Sequence, residues 1–442
     1  MPASSFNDFL QTVFERGRTL LGRSDPISDA DLKALSEDLL SEKGEASGVA
    51  LARLILDAYE VSPPEKRLSF WETLAELFGP NGPAVDKAIA NYQETPSETT
   101  LCQLYVSAEP RRQELLRRLN LAPNGTGAMV QMRAELLKLI KEKPHLKVVD
   151  TDFVQLFSSW FNRGFLELHA LSWDSPASVL EKLIRYEAVH QIGSWDDLRR
   201  RLEPSDRRCF SFFHPRLADE PLIFVEVALT KEIPDKIEPL LAEKRDILTA
   251  NETTTAVFYS ISNTQKGLAG VSFGNFLIKQ VAEDLKRDLP NLKTFVTLSP
   301  VPGFGSWLDQ ELASEVPSIL SEKLRAKLEI LKDDEWWQDE KKKELAKKAL
   351  MPAAACYFLR AKTPADRPVD PVARFHLRNG ARLERMNFLG NSSAKALKQS
   401  YGIMVNYLYA LEDVERNHES FATFGEVVAS SAIKKLANAA DD

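Results

Sequence analysis

The chain has 442 residues, 44% of them hydrophobic and 27% charged, which is the composition of an ordinary water-soluble globular protein of two to three domains. Its net charge of −7 argues against nucleic acid as a partner. No apolar run is long enough to cross a bilayer, which argues against a membrane protein.

The opening Met1-Pro-Ala-Ser-Ser-Phe lacks the basic and apolar regions of a secretory signal. Phe6–Leu21 is amphipathic, but Asp8 and Glu15 count against a transit peptide. The expected location is cytoplasmic. Cys102, Cys209 and Cys356 form no CxxC pair, and the six histidines form neither HxH nor HExxH. The sequence thus gives no support for a disulfide framework or a metal site.

Residues 1–172 read as amphipathic helices joined by short loops, an antiparallel bundle. Ser28-Asp-Ala-Asp31 resembles a capping box, ahead of Leu32, Leu35 and Leu39 on one face. Pro63-Pro-Glu opens a helix carrying Leu68, Trp71, Ala75 and Phe78, and Gly79-Pro80 stops it. Asp152–His169 is an aromatic-rich helical stretch expected at the centre.

From Ser175 the pattern changes. A helix over Pro176–Ala188 precedes strands at Arg208–Phe213 and Leu222–Thr230, a hairpin, then strands at Thr254–Ser262 and Thr294–Leu298. Gly274–Leu289 between the last two is helical, a strand–loop–helix–strand unit of α/β packing. Glu315–Leu350 is a charged helical region. Further strands are expected at Ala373–Leu377 and Arg382–Phe388, with helix or strand over Ser392–Tyr409.

Three features carry chemistry. Phe295-Val-Thr-Leu-Ser-Pro-Val-Pro-Gly-Phe304 is a strand ending on a serine, because the prolines that follow cannot donate to a ladder. Ser299 therefore belongs at a sheet lip, as a turn cap or as a reacting hydroxyl. His376, in Arg374-Phe-His-Leu-Arg-Asn-Gly380, is a structural histidine or an acid–base group, with His214 as its competitor. Gln265-Lys-Gly-Leu-Ala-Gly-Val-Ser-Phe-Gly274 is a glycine-rich turn before a helix, a structural turn or a phosphate grip. It is similar to the pyrophosphate turn of acetyltransferase-type folds.

Taken together, the chain resembles the malonyl-CoA decarboxylase family over about nine-tenths of its length. Collinear matches include Pro110-Arg-Arg-Gln-Glu-Leu-Leu-Arg-Arg-Leu-Asn120, Ser158-Ser-Trp-Phe-Asn-Arg-Gly-Phe165 and Arg207-Arg-Cys-Phe-Ser-Phe-Phe-His-Pro215. They continue through Phe258-Tyr-Ser-Ile-Ser-Asn-Thr-Gln-Lys-Gly-Leu268, Leu298-Ser-Pro-Val-Pro-Gly-Phe304, Phe375-His-Leu-Arg-Asn-Gly-Ala381 and Gln399-Ser-Tyr-Gly-Ile-Met-Val-Asn-Tyr407. The resemblance implies an α+β protein: a helical oligomerisation domain over 1–172, then a GNAT-type, acetyltransferase-like α/β catalytic domain over 173–442.

It also implies conversion of malonyl-CoA to acetyl-CoA and CO2, with catalytic positions at Ser299, His376, Tyr401 and Ser260. Contacts to coenzyme A are expected at Ser262, Gln265, Gly267, Gly270 and Gly274. The expected assembly is a homo-oligomer, dimer or tetramer. A thioester is its own electron sink, so no cofactor is expected. Ser272 departs from the pattern, since animal members carry Glu there. A CoA-dependent acyltransferase and a non-catalytic acyl-CoA sensor are the alternative readings.

Overall fold

The computed structural model describes residues 12, 31–41, 44–217, 219–271, 273, 277–314 and 319–441. Phe6–Leu21, apart from Thr12, lies outside them, as do Ser28, Ser272 and Gly274. Two compact units form. One comprises Met1–Glu167, Phe213–Leu222 and Asn263–Phe273; the other comprises Leu168–Phe212, Ile223–Ser262 and Gly274–Asp442.

The first unit is built from α1 (Leu32–Leu40), α2 (Glu45–Val61), α3 (Pro64–Leu77), α4 (Gly82–Glu94), α5 (Glu98–Ser107), α6 (Arg111–Leu119), α7 (Gly125–Leu139) and α8 (Lys147–Trp160). Local chemistry sets the starts. Asp31 caps α1 by accepting from the amides of Lys33 and Ala34, Pro64 opens α3, and Ser97 forms a capping box with Thr100 at α5. Trp71 sits at the centre, edge-on to Tyr59 and Phe153, and its indole N–H donates to the Tyr59 hydroxyl at 3.0 Å. Truncating it to Ala would cost about 3–5 kcal/mol. Arg133 and Asp150 form a buried ion pair at 2.8 Å, and the same guanidinium donates to the Gly267 carbonyl at 2.6 Å.

The later chain carries an eight-stranded sheet: β1 (Glu167–Leu171), β2 (Arg207–Phe213), β3 (Ile223–Thr230), β4 (Thr255–Asn263), β5 (Thr294–Thr297), β6 (Ser299–Pro300), β7 (Arg382–Asn387) and β8 (Met404–Leu408). The order is β1-β2-β3-β4-β5-β8-β6, with β7 on β8. The helices are α9 (Ala177–Tyr186), α10 (Trp195–Leu202), α11 (Glu238–Leu241), α12 (Leu277–Asp288), α13 (Phe304–Ala313), α14 (Glu322–Leu328), α15 (Glu340–Leu359), α16 (Pro371–Arg378), α17 (Ala394–Ser400), α18 (Val414–Phe424) and α19 (Ser431–Asn438). One sheet face buries Ala228, Val257, Tyr259, Val296, Leu298 and Met404 together.

β2 and β3 pair antiparallel, as the hairpin reading expects. β4 and β5 pair in parallel from Thr255↔Thr294 to Phe258↔Thr297, joined through α12. Leu298 still donates to the Phe258 carbonyl at 3.0 Å, and there the ladder ends. β4 runs on to Asn263, whereas Ser299 pairs with Val405 of β8.

Three sequence expectations need correction. Glu167–Leu171 is a strand, inside the span read as helical. Ser299-Pro300 continues as a short strand; Pro300 is tolerated because β6 is at the end of the sheet path, where a missing donor is harmless. Ala373–Leu377 is helix, not strand. Asp370 caps α16 by accepting from the Ala373 amide at 2.6 Å, and Pro371 occupies its first turn.

Candidate active site

β5, β6, β8 and α16 bring together a buried polar chain. Ser299 Oγ lies 3.1 Å from His376 Nε2 and donates to Thr297 Oγ1 at 2.9 Å. Thr297 Oγ1 also accepts from the Tyr407 amide at 3.1 Å. His376 Nδ1 lies 2.8 Å from the Tyr409 hydroxyl. A serine has one proton, and this one goes to Thr297. Nε2 must then be the protonated nitrogen, donating to Ser299, and Nδ1 accepts from Tyr409.

The ring is fixed on both sides. Tyr407 stacks on it at 4.5 Å between centroids, with the planes 25° apart. Gly380 ends α16 at φ +82°, where an added Cβ would come 2.1 Å from the Val414 carbonyl oxygen, so only glycine fits. At the other end the Asp370 cap accepts from the Tyr357 hydroxyl at 3.1 Å. A helix C-terminus favours an imidazolium by about 1 kcal/mol. Burial outweighs it and lowers the His376 imidazole from 6.5 to about 3, so the ring is neutral at physiological pH. Ser299 and His376 are 6% and 3% exposed.

Ser260 lies two residues beyond Phe258 on β4, on the same side as Thr297 by strand alternation. Its hydroxyl and that of Ser262 both donate to the Glu187 carboxylate. Tyr401 sits apart in its bonding. It ends α17 at φ +51°, and its hydroxyl donates to Asp309 at 3.0 Å. His214 is held by backbone: Nε2 is 3.1 Å from the Trp160 carbonyl, and Nδ1 accepts from the Arg216 amide at 3.1 Å.

The glycine loop belongs to the first unit. Gln265 turns its amide to Glu220 at 3.2 Å. A Cβ on Gly267 would meet the Val130 carbonyl oxygen at 1.8 Å, so this glycine lets the loop pack on α7. Gly270 has φ +76° and open space around it. Among the described residues, no group of three or more His, Cys, Asp or Glu side chains is arranged as metal ligands would be.

Sequence reading missed Tyr409, Thr297 and Glu187. The alternation Val405, Tyr407, Tyr409 in a strand was the available signal for Tyr409. The link from Glu187 to β4 has no local signal, since its serine partners are 73 and 75 residues away.

A helical region followed by a mixed sheet with a buried Ser–His pair defines an α+β protein equipped for acid–base or nucleophilic chemistry. The malonyl-CoA decarboxylase C-terminal domain model matches residues 164–442, and its N-terminal domain model matches 78–161. The malonyl-CoA decarboxylase of Rhodopseudomonas palustris is 56% identical, with a TM-score of 0.88 over 91% of this chain and 98% of that one. That of Cupriavidus metallidurans is 38% identical, with a TM-score of 0.72 over 92% and 98%. The mitochondrial malonyl-CoA decarboxylase of Anser anser anser is 36% identical over 73% of this chain and 69% of its own length. The chain belongs to the malonyl-CoA decarboxylase family, whose members are carboxy-lyases.

Proposed function

We propose that this protein decarboxylates malonyl-CoA to acetyl-CoA and CO2, and that Ser299 and His376 deliver the proton. The observation that carries the reading is the buried 3.1 Å contact between Ser299 Oγ and His376 Nε2. Cleavage of the bond to the carboxylate leaves its electron pair on the thioester as an enolate. The thioester carbonyl takes up that charge, so the chemistry needs no added electron sink. Ser299 turns its proton from Thr297 to the enolate carbon, and the Nε2 proton of His376 replaces it. Solvent admitted as the products leave returns a proton to Nε2, while Tyr409 goes on donating to Nδ1, and the starting tautomer is restored. The sum is malonyl-CoA plus one proton giving acetyl-CoA and CO2. A dry pocket favours neutral CO2 over a carboxylate. A single well-placed donor of this kind contributes about 3–4 kcal/mol to the transition state.

Ser260 and Tyr401 are assigned to the same site by the family pattern. Ser262, Gln265, Gly267, Gly270 and Gly274 are assigned to coenzyme A; for Gln265 and Gly267 these roles add to the packing already described. The catalytic unit is read as GNAT-type, supported by the parallel β4–β5 pair that parts after Phe258↔Thr297. The helical part is read as the oligomerisation domain, with a second copy on α5. That helix buries none of its residues and leaves Leu101, Tyr105 and Val106 50%, 74% and 64% exposed. Sedimentation of Tyr105→Glu beside the parent chain tests this; an unchanged mass would remove α5 from the interface. Among the described residues no helix is long and apolar enough to cross a membrane. A cytoplasmic location is our reading from the charges of Phe6–Leu21, and cell fractionation tests it.

Purified protein with malonyl-CoA, scored for CO2 and acetyl-CoA, tests the activity. Acyl transfer to an amine without CO2 would mean an acyltransferase, and binding without turnover a sensor.

A further inference from the structure

Glu187 follows the last residue of α9, and its carboxylate is turned onto β4. Oε1 accepts from the backbone amides of Val189 at 2.8 Å and His190 at 2.7 Å. Ser260 Oγ lies 2.9 Å from Oε1 and 2.8 Å from Oε2, and Ser262 Oγ 3.1 Å from Oε2. These partners are all neutral. Nearby Arg201 is taken up by Glu226, Asp197 and the carbonyls of His190 and Gln191, and Lys395 reaches only as far as the Ala188 carbonyl at 3.4 Å. Glu187 is 8% exposed and the two serines 1% each. Converging donors are what allow a carboxylate to stay in so dry a place.

Each serine has one proton, and both go to Glu187. What remains on each oxygen is lone pairs. Ser260 shares its face of β4 with Phe258, whose ring meets Tyr409 edge-on at 6.2 Å, and Tyr409 bonds His376. The face is therefore the one that carries the Ser–His pair.

We propose that Glu187 is a specificity-determining residue: it holds the protons of Ser260 and Ser262 away from the reacting group and makes the β4 wall refuse a carboxylate. This rests on the decarboxylase reading above. The reactant carries a carboxylate, whereas CO2 and the acetyl product do not. A wall that disfavours negative charge at the carboxylate end binds the ground state less well than a transition state in which that charge has moved to the thioester.

Calorimetric titration with malonyl-CoA and acetyl-CoA tests this in His376→Ala, where turnover is slowed about 100-fold or more, and in His376→Ala/Glu187→Gln, with acetyl-CoA assayed after each run to correct for conversion. Glutamine keeps a carbonyl for the two backbone amides, removes the charge and frees the serine protons. The affinity for malonyl-CoA relative to acetyl-CoA should rise about fivefold or more. Equal change in both, or no change, overturns the proposal. Ser260→Ala supplies a second test that holds even if the glutamine variant does not fold. It keeps the charge, so the ratio should stay within about twofold. Selective loss of malonyl-CoA would mean that Ser260 donates to the carboxylate, and would overturn the proposal. The two readings fail separately. A parent chain that releases no CO2 sinks the decarboxylase reading, whereas a parent that releases CO2, with an unchanged ratio in the variants, sinks only the role of Glu187.

Discussion

The Tyr409 hydroxyl lies 2.8 Å from His376 Nδ1, and this contact sets which nitrogen of the ring faces Ser299 with a proton. Tyr409→Phe removes the donor while leaving the ring that packs on Phe258. We expect the fold to survive and kcat to fall about tenfold, the loss of one buried hydrogen bond. A phenylalanine variant with unchanged kcat would show that packing by Tyr407 alone orients the imidazole.

Ser299→Ala and His376→Ala should each lower turnover by about 100-fold or more with the fold intact, the usual worth of a positioned proton donor. The double variant should be little worse than the poorer single one, because the two groups act as a unit. Steady-state rates on the three variants, with circular dichroism as the folding control, check this. Near-parental turnover in either single variant would remove that residue from the reaction.

The buried imidazole also makes stability depend on pH. His376 stays neutral in the folded protein down to about pH 3 but titrates at 6.5 when exposed. Between those values the unfolded chain binds more protons, so stability falls as pH falls from 6.5 toward 3. At about pH 5 this amounts to about 2 kcal/mol. Glu226 acts in the opposite sense. Burial raises its carboxyl from 4.5 to about 8, so its contribution is full below 4.5 and is lost as pH rises through 8. A comparison of variants separates the two. Between about pH 7.5 and about pH 5, urea unfolding of His376→Leu should lose about 2 kcal/mol less than the parent. Identical losses would place the ring in water.

The glycine loop separates into two effects. Gly267→Ala should destabilise the first unit, because the new Cβ meets the Val130 carbonyl oxygen. Gly270→Val has open space but a backbone at φ +76°, which a β-branched residue resists, so the loop must shift. It should weaken free coenzyme A and acetyl-CoA alike in a protein that still folds. Unchanged calorimetric affinity in a folded Gly270→Val would move the pyrophosphate site elsewhere.

Ser299 could be singled out because Pro300 and Pro302 punctuate the chain right after it, although the strand does not stop there and Pro300 still pairs with Met404. The helical first region, the β2–β3 hairpin and the β4–α12–β5 unit were readable for the same reason: periodicity and turn residues are local. His376 was read onto a strand because Ala373–Leu377 is mostly apolar, although Asp370-Pro371 ahead of it and Asn379-Gly380 after it are helix start and stop signals. Tyr409 and Thr297 escaped notice because their roles depend on β8 lying between β5 and β6, a pairing more than 100 residues apart in sequence. The packing of Gly267 on α7 is equally non-local. Tyr401 was drawn from a family motif, and its bond to Asp309 leaves its part in the reaction to be measured.

The most direct measurement is the product balance of the purified protein on malonyl-CoA after exhaustive treatment with EDTA. We expect one CO2 and one acetyl-CoA per malonyl-CoA consumed, at an undiminished rate, because the thioester supplies its own electron sink. No CO2 from the untreated protein, or a rate abolished by EDTA and restored by a metal, would contradict the account.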